Sequence, residues 1–153
     1  MSKQQFSSAK PVLDAARGWG ADLAAVADTS RLQGIETDPQ DLLQGYPRAI
    51  SMAVRLADGV MDPIVDRPTP LYSRHYQNVN ALLDDIATRV CCLLQSWGSR
   101  ALPVPASHIL SETRFTAAVS HKAVALCAGL GWQGKSLLLV TPSSVPGCAW
   151  LPC

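Results

Sequence analysis

The sequence predicts a layered α/β fold, with α+β as the neighbouring arrangement, in which helices flank a small mixed sheet. Three observations carry this. The hydrophobic period switches along the chain between the helical and the extended kind, one long stretch from Tyr72 to Trp97 keeps the helical period throughout, and glycines and prolines separate the segments at regular intervals. At 153 residues the chain is long enough for one domain with a real core. A hydrophobic content of 48% with a net charge of +1 excludes a disordered, acidic or collagen-like chain. It also leaves no charge excess to grip a nucleic-acid backbone, so a small molecule or a protein is the expected partner.

The first helix is expected over Ser8 to Trp19, where Val12, Leu13, Ala16 and Trp19 share a face. Asp22 to Ala27 is short and apolar between Gly20 and Asp28, as a buried strand requires. Thr29 to Tyr46 is polar and broken by Gly34, Pro39 and Gly45, so it reads as loop with a turn of helix. A second strand follows from Ala49 to Leu56, then a Pro-rich connection through Pro63, Pro68 and Pro70. In the long helix Val79, Leu82, Leu83, Ile86, Val90, Leu93 and Leu94 recur at helical spacing, and Gly98 stands where a left-handed cap is expected. Ala101 to Val104 reads as a short strand that Pro103 and Pro105 confine to an edge. A last helix from about Thr113 to Cys127 stops at Gly129 and Gly131, and Ser136 to Thr141 reads as a final strand.

The amino terminus, MSKQQFSSAK, lacks the apolar core of a signal peptide, and no segment approaches the roughly 20 apolar residues of a membrane span. Five cysteines, with Cys91 and Cys92 adjacent in a helical pattern, do not form a secreted disulfide framework. A cytoplasmic protein with reduced thiols, and no membrane partner, is expected.

The segment GLGWQGKS, Gly129 to Ser136, satisfies two nucleotide patterns at once. Gly129, Gly134, Lys135 and Ser136 fit G-x-x-x-x-G-K-S, while Gly129, Gly131 and Gly134 fit G-x-G-x-x-G. Both need a strand entering the loop and a helix leaving it, because the phosphate sits on the N–H groups of that helix's first turn. Here a helix enters and a β-type run leaves, so a P-loop nucleotide site is the weakest of the readings. Helix capping by Gly129 and Gly131, a tight helix-to-strand turn and Trp132 packed beneath explain much of the pattern. Lys135 remains, a cation fixed at the mouth of a strand, suited to an anionic or amide-rich ligand.

Elsewhere, His75, His108 and His121 are too scattered for a zinc site, and no metal is expected. His75 and Tyr76 suit a cap or the surface. Ser120, His121 and Lys122, just ahead of the glycines, read by default as a solvated helix face. Asp84 and Asp85 fall on the polar side of the long helix, where Arg89 can pair with Asp85. At least one of Cys91 and Cys92 belongs to the core.

A helix ending in AVALCAGLGWQGKSLLLVTP after SHK resembles the corresponding stretch of the epoxyqueuosine reductases and their iron–sulfur paralogues, relatives of corrinoid reductive dehalogenases. YPRAISMAVRL, YSRHYQNVNALLDDIA and SRALPVPAS resemble the same family's amino-terminal domain in the same order, so the resemblance runs from about Tyr46 to Pro142. It implies an α/β domain, residues 1–142, of the kind that holds cobalamin, with a ferredoxin-like domain of two four-iron clusters delivering electrons. By the same resemblance Gly129, Gly131, Trp132, Gly134, Lys135 and His121 are the cofactor-binding candidates.

Two departures limit what the resemblance implies. The Asp of the reductases' Asp-Thr-x-Pro segment, the proton donor there, falls on Phe115, with Thr116 matching and Ala118 in place of Pro; a phenyl ring transfers no proton. No C-x-x-C-x-x-C-x-x-x-C-P run is present, and Cys148 with Cys153 cannot replace it. The paralogous group is therefore the better match, and the catalytic residues stay unknown.

Residues 143–153 read as an aberrant tail. The family continues with a strand resembling EFGPRVRLATV, and codons can be chosen for Pro142 to Cys153 that give this text one base out of frame. A lost strand, an exposed apolar edge at Ser136 to Thr141 and self-association through it are the expected consequences. The leading reading is thus a corrinoid-binding domain of an iron–sulfur oxidoreductase without its ferredoxin-like half, inactive alone. The alternatives are a non-enzymatic module for a corrinoid or flavin, and a functionally dead product.

Overall fold

A computed structural model describes residues 8–106, 118–135 and 137–142, together with the backbone of 148–152. Helix α1 (Lys10–Gly18) begins with a proline in its first turn and buries Val12 and Ala16. Strand β1 (Leu23–Asp28) leads into a 3-10 turn, Thr29–Leu32, whose first free N–H, that of Ser30, is accepted by the Asp28 carboxylate at 3.0 Å. Strand β2 (Arg48–Arg55) is buried at every position but its two ends, so it lies at the centre of the sheet.

A short helix, α2 (Asp58–Met61), interrupts the Pro-rich connection; the sequence gives no periodic signal over so few residues. The long helix α3 (Pro70–Ser96) starts two residues earlier than its apolar period, because Thr69 caps it by accepting from Tyr72 N–H at 3.1 Å and Pro70 occupies the first turn. Its expected core residues Leu83, Ile86 and Val90 are fully buried, whereas Leu82 stays 37% exposed at the edge of the stripe. Gly98, at φ +79°, ends it.

Helix α4 (His121–Cys127) is shorter than expected. Ser120 caps it by accepting from Ala123 N–H, so residues 118–120 lie outside the helix. Residues 113–117, on which the rest of the expected helix fell, are outside the described residues, as is Ser136. The expected strand at Ala101 to Val104 is not formed. Pro103 has no N–H to give a ladder, and Val104 instead buries its side chain beside Val119 and Val124. The final apolar run pairs only through β4 (Leu139–Val140), which closes a hairpin with β3 (Trp132–Gln133).

The last strand, β5 (Cys148–Pro152), lies within the tail read as aberrant, and its backbone pairs with β2 from Ser51 to Arg55. The sheet order is β1-β2-β5. All described strand pairs are antiparallel, which favours the α+β arrangement. One face of the sheet, through Ile50, Met52 and Val54, packs on α1 and α3. The opposite face, through the small residues Ala27 and Ala49, receives α4. No helix among the described residues is long and apolar enough to cross a membrane.

Candidate functional site

The glycine-rich stretch is a helix cap followed by a hairpin. Gly129, at φ +74°, donates its N–H to Leu126 and the Leu130 N–H reaches Ala125, both at 3.0 Å, which closes α4 with a left-handed residue. Gly131 lies flat against β4: a Cβ there would come within 2.8 Å of the Val140 carbonyl carbon and nearer still to its oxygen. At the turn, Gly134 N–H donates to the Leu138 carbonyl at 2.8 Å and Leu137 N–H donates back to the Gly134 carbonyl at 3.0 Å. Lys122 Nζ, from the first turn of α4, holds the Leu137 carbonyl at 3.0 Å.

No helix leaves this loop, so the ring of free N–H groups that either nucleotide pattern requires is not formed. Trp132 does not pack beneath the glycines as expected; it is 54% exposed, because the strand that carries it lies on the outside of the fold. Leu137, Leu138 and Val140 are exposed beside it, and Lys135 stands exposed on the turn between the two strands.

His121 departs from the solvated face expected of it. Its ring is half-buried at the start of α4, hydrogen-bonded to the Pro105 carbonyl, and its Nδ1 is shut off from solvent without a partner among the described residues. Burial lowers its pKa below the ordinary imidazole value, against the opposing pull of the Pro105 carbonyl and the Asp84 carboxylate. A neutral ring that donates from Nε2 leaves Nδ1 as an acceptor. Asp84 reaches the same connection by accepting from Ala106 N–H at 2.8 Å, and so is not a surface carboxylate.

The remaining candidates separate. Asp85 pairs with Arg89 at 2.8 Å as expected. His75 Nε2 accepts from Ala57 N–H at 3.0 Å and caps α2. Cys91 is buried and Cys92 exposed. No group of metal-ligating side chains occurs among the described residues. Phe115, Thr116 and His108 lie outside the described residues.

The sequence analysis does not show a cleft of about 550 Å³, open to solvent, along the first half of α3, lined by Tyr72, Tyr76, Asn80 and Asp84 with Pro68 and Ala106 at its edges. The signal was present as an i, i+4 ridge, which places these four side chains on one face. Asp84 falls on the polar side of the helix, and helical period alone does not show that another segment covers it.

Two solved structures share this architecture. A selenomethionine-labelled epoxyqueuosine reductase matches with a TM-score of 0.61 at 15% identity, over 94% of this chain and 44% of that one. The fold is that of epoxyqueuosine reductase. The same enzyme class bound to a tyrosine tRNA stem loop carrying epoxyqueuosine matches with a TM-score of 0.57 at 17% identity, again over 94% and 44%. The chain thus spans less than half the length of these epoxyqueuosine reductases. Neither a family model nor a curated protein sequence matches it.

Proposed function

We propose that this chain is the corrinoid-holding part of an iron–sulfur oxidoreductase related to epoxyqueuosine reductase, and that it does not turn over substrate alone. The fold shared over 94% of the chain carries the reading. The exposed hairpin suits such a group: of the seven large hydrophobic side chains exposed among the described residues, Trp132, Leu137, Leu138 and Val140 lie on it. Trp132 and the hairpin face would hold the apolar ring, Lys135 would meet its polar arms, and Gly129, Gly131 and Gly134 would fix the loop. His121 would brace the start of α4 behind them, and its unpartnered Nδ1 leaves an acceptor free.

A bound corrinoid supplies the redox chemistry, while the chain supplies position and surface. The Phe115 position offers no proton donor, so reduction of epoxyqueuosine itself is not part of the proposal. The tail after Pro142 is proposed to be out of frame, which the nucleotide sequence of the gene tests directly. The even charge balance favours small-molecule over nucleic-acid partners.

Hydroxocobalamin titration, followed by the visible corrinoid bands, tests the reading. Saturable binding weaker than about 10 µM is expected, loosened several-fold by Trp132→Ala and accompanied by no electron-dependent turnover. An unperturbed spectrum at saturating cofactor would overturn it. Nanomolar binding would show instead that the pocket is already complete.

A further inference from the structure

We infer that the cleft on α3 is a second binding site, independent of the corrinoid reading, for a small flat organic cation. Its walls and its polar floor ask for different things of a ligand, and only one kind of molecule meets both. Tyr72 and Tyr76 are stacked with ring centroids 6.0 Å apart and planes 23° from parallel, so together they form a continuous aromatic wall one helical turn long. Such a wall favours a planar ligand, and a cationic one above a neutral one, because the ring faces carry negative charge.

The floor is rich in acceptors. Asp84 uses one carboxylate oxygen on the Ala106 N–H at 2.8 Å, and a carboxylate has accepting capacity beyond one hydrogen bond. One turn earlier, Asn80 Oδ1 is buried with no donor among the described residues. An unpartnered buried acceptor is costly, and a ligand that draws the amide toward it with an N–H relieves that cost. Among the described residues, the side chains lining the cleft include one carboxylate and no lysine, arginine or histidine, so they carry a net negative charge. At about 550 Å³ it falls within the range of small-molecule pockets.

Three tricyclic probes of almost equal area separate the terms: 9-aminoacridine, a cation at pH 7.5; acridine, neutral there; and acridine-9-carboxylate, an anion. Fluorescence titration of the full chain should rank them cation, neutral, anion, with the cation at least about tenfold tighter than the anion. Asp84→Asn keeps an acceptor oxygen for Ala106 and should bring the cation's affinity down to that of neutral acridine. Ala81 is exposed and lines the cleft, so Ala81→Trp should block all three probes without altering thermal unfolding.

If no probe binds at millimolar concentration, or if the three bind alike, the proposal is wrong. Binding that survives Ala81→Trp unchanged would place the dyes elsewhere, for instance on the apolar hairpin, and would equally overturn it.

Discussion

Replacing Gly131 with alanine asks whether the glycine-rich stretch is a hairpin. The added methyl carbon would lie 2.8 Å from the Val140 carbonyl carbon and 3.2 Å from Thr141 Cα, where ordinary contact begins near 3.4 Å. Both obstacles are backbone, so no side-chain rotation relieves them, and β3 and β4 must part. Parting them breaks the Trp132–Val140 and Gln133–Leu139 pairings and loosens the turn bonds at Gly134 and Leu137. Overpacking of this kind costs about 1–3 kcal/mol. For a chain of this size that is a fall in Tm of about 2–12 °C, at about 2–4 °C per kcal/mol.

The control is Gly18→Ala. That glycine ends α1 with nothing within 4 Å of an added Cβ, so the same chemical change should stabilise by a few tenths to about 1 kcal/mol. The two variants therefore differ in sign. Urea and thermal unfolding give the global effect, and amide hydrogen exchange at Gly134 and Leu137 gives the local one. A Gly131→Ala protein as stable as Gly18→Ala, with those amides still protected, would refute the close approach on which the hairpin rests.

Three further outcomes are expected. Leu83→Ala, at a site with no exposure, should cost about 2–5 kcal/mol in urea unfolding, and Leu82→Ala, 37% exposed one residue earlier, markedly less; equal losses would misplace the buried stripe of α3. The lowered pKa of His121 means that the unfolded chain binds its proton more readily than the folded one, so this residue makes stability fall as pH drops below about 6.5. His121→Gln should flatten the fall in Tm between pH 7.5 and pH 5.5, and an unchanged slope would remove His121 as its source. ATP and NAD should show no micromolar binding by calorimetry, whereas binding abolished by Lys135→Ala would restore a phosphate site at the loop.

The helix ends were the most legible feature, because each is written locally. At α1, α3 and α4 the same two bonds close the last turn around Gly20, Gly98 and Gly129, all at positive φ. Such a turn needs only a residue without a Cβ at one position, so a single letter reveals it. The core of α3 was legible for a similar reason: period alone places Leu83, Ile86 and Val90 on one stripe. Leu82 is a border case, and its Cδ2 lies 3.6 Å from where a Cβ on Gly20 would stand, a contact between elements far apart in sequence.

The run from Leu137 to Val140 differs from the continuous strand expected over Ser136 to Thr141, because apolar content alone does not fix where an extended run turns. The chain instead spends Leu137 on a left-handed turn at φ +62° and leaves its neighbours exposed. The polar cleft is illegible for a different reason. Tyr72, Tyr76, Asn80 and Asp84 share a ridge by spacing, but the approach of Pro68 and of Ala106, whose N–H donates to the Asp84 carboxylate, is what makes the ridge the wall of a cleft. Contacts of that range are set by the packing of the whole domain and leave no local period to read.

The sheet edge follows from the same distinction between local and long-range information. Main-chain ladders recognise extended backbone and are nearly blind to the side chains attached to it. Cys148–Pro152 can therefore occupy the edge of β2 even though its text is unlike EFGPRVRLATV, and Pro152 is tolerated as the last residue of the strand, where a missing N–H does least harm. Among the described residues, four of the seven exposed large hydrophobic side chains lie on the β3–β4 hairpin and none lies on β2. Self-association, where it occurs, should accordingly run through Trp132, Leu137 and Leu138, and polar substitutions at those three positions should suppress it while leaving the β1-β2-β5 ladder intact.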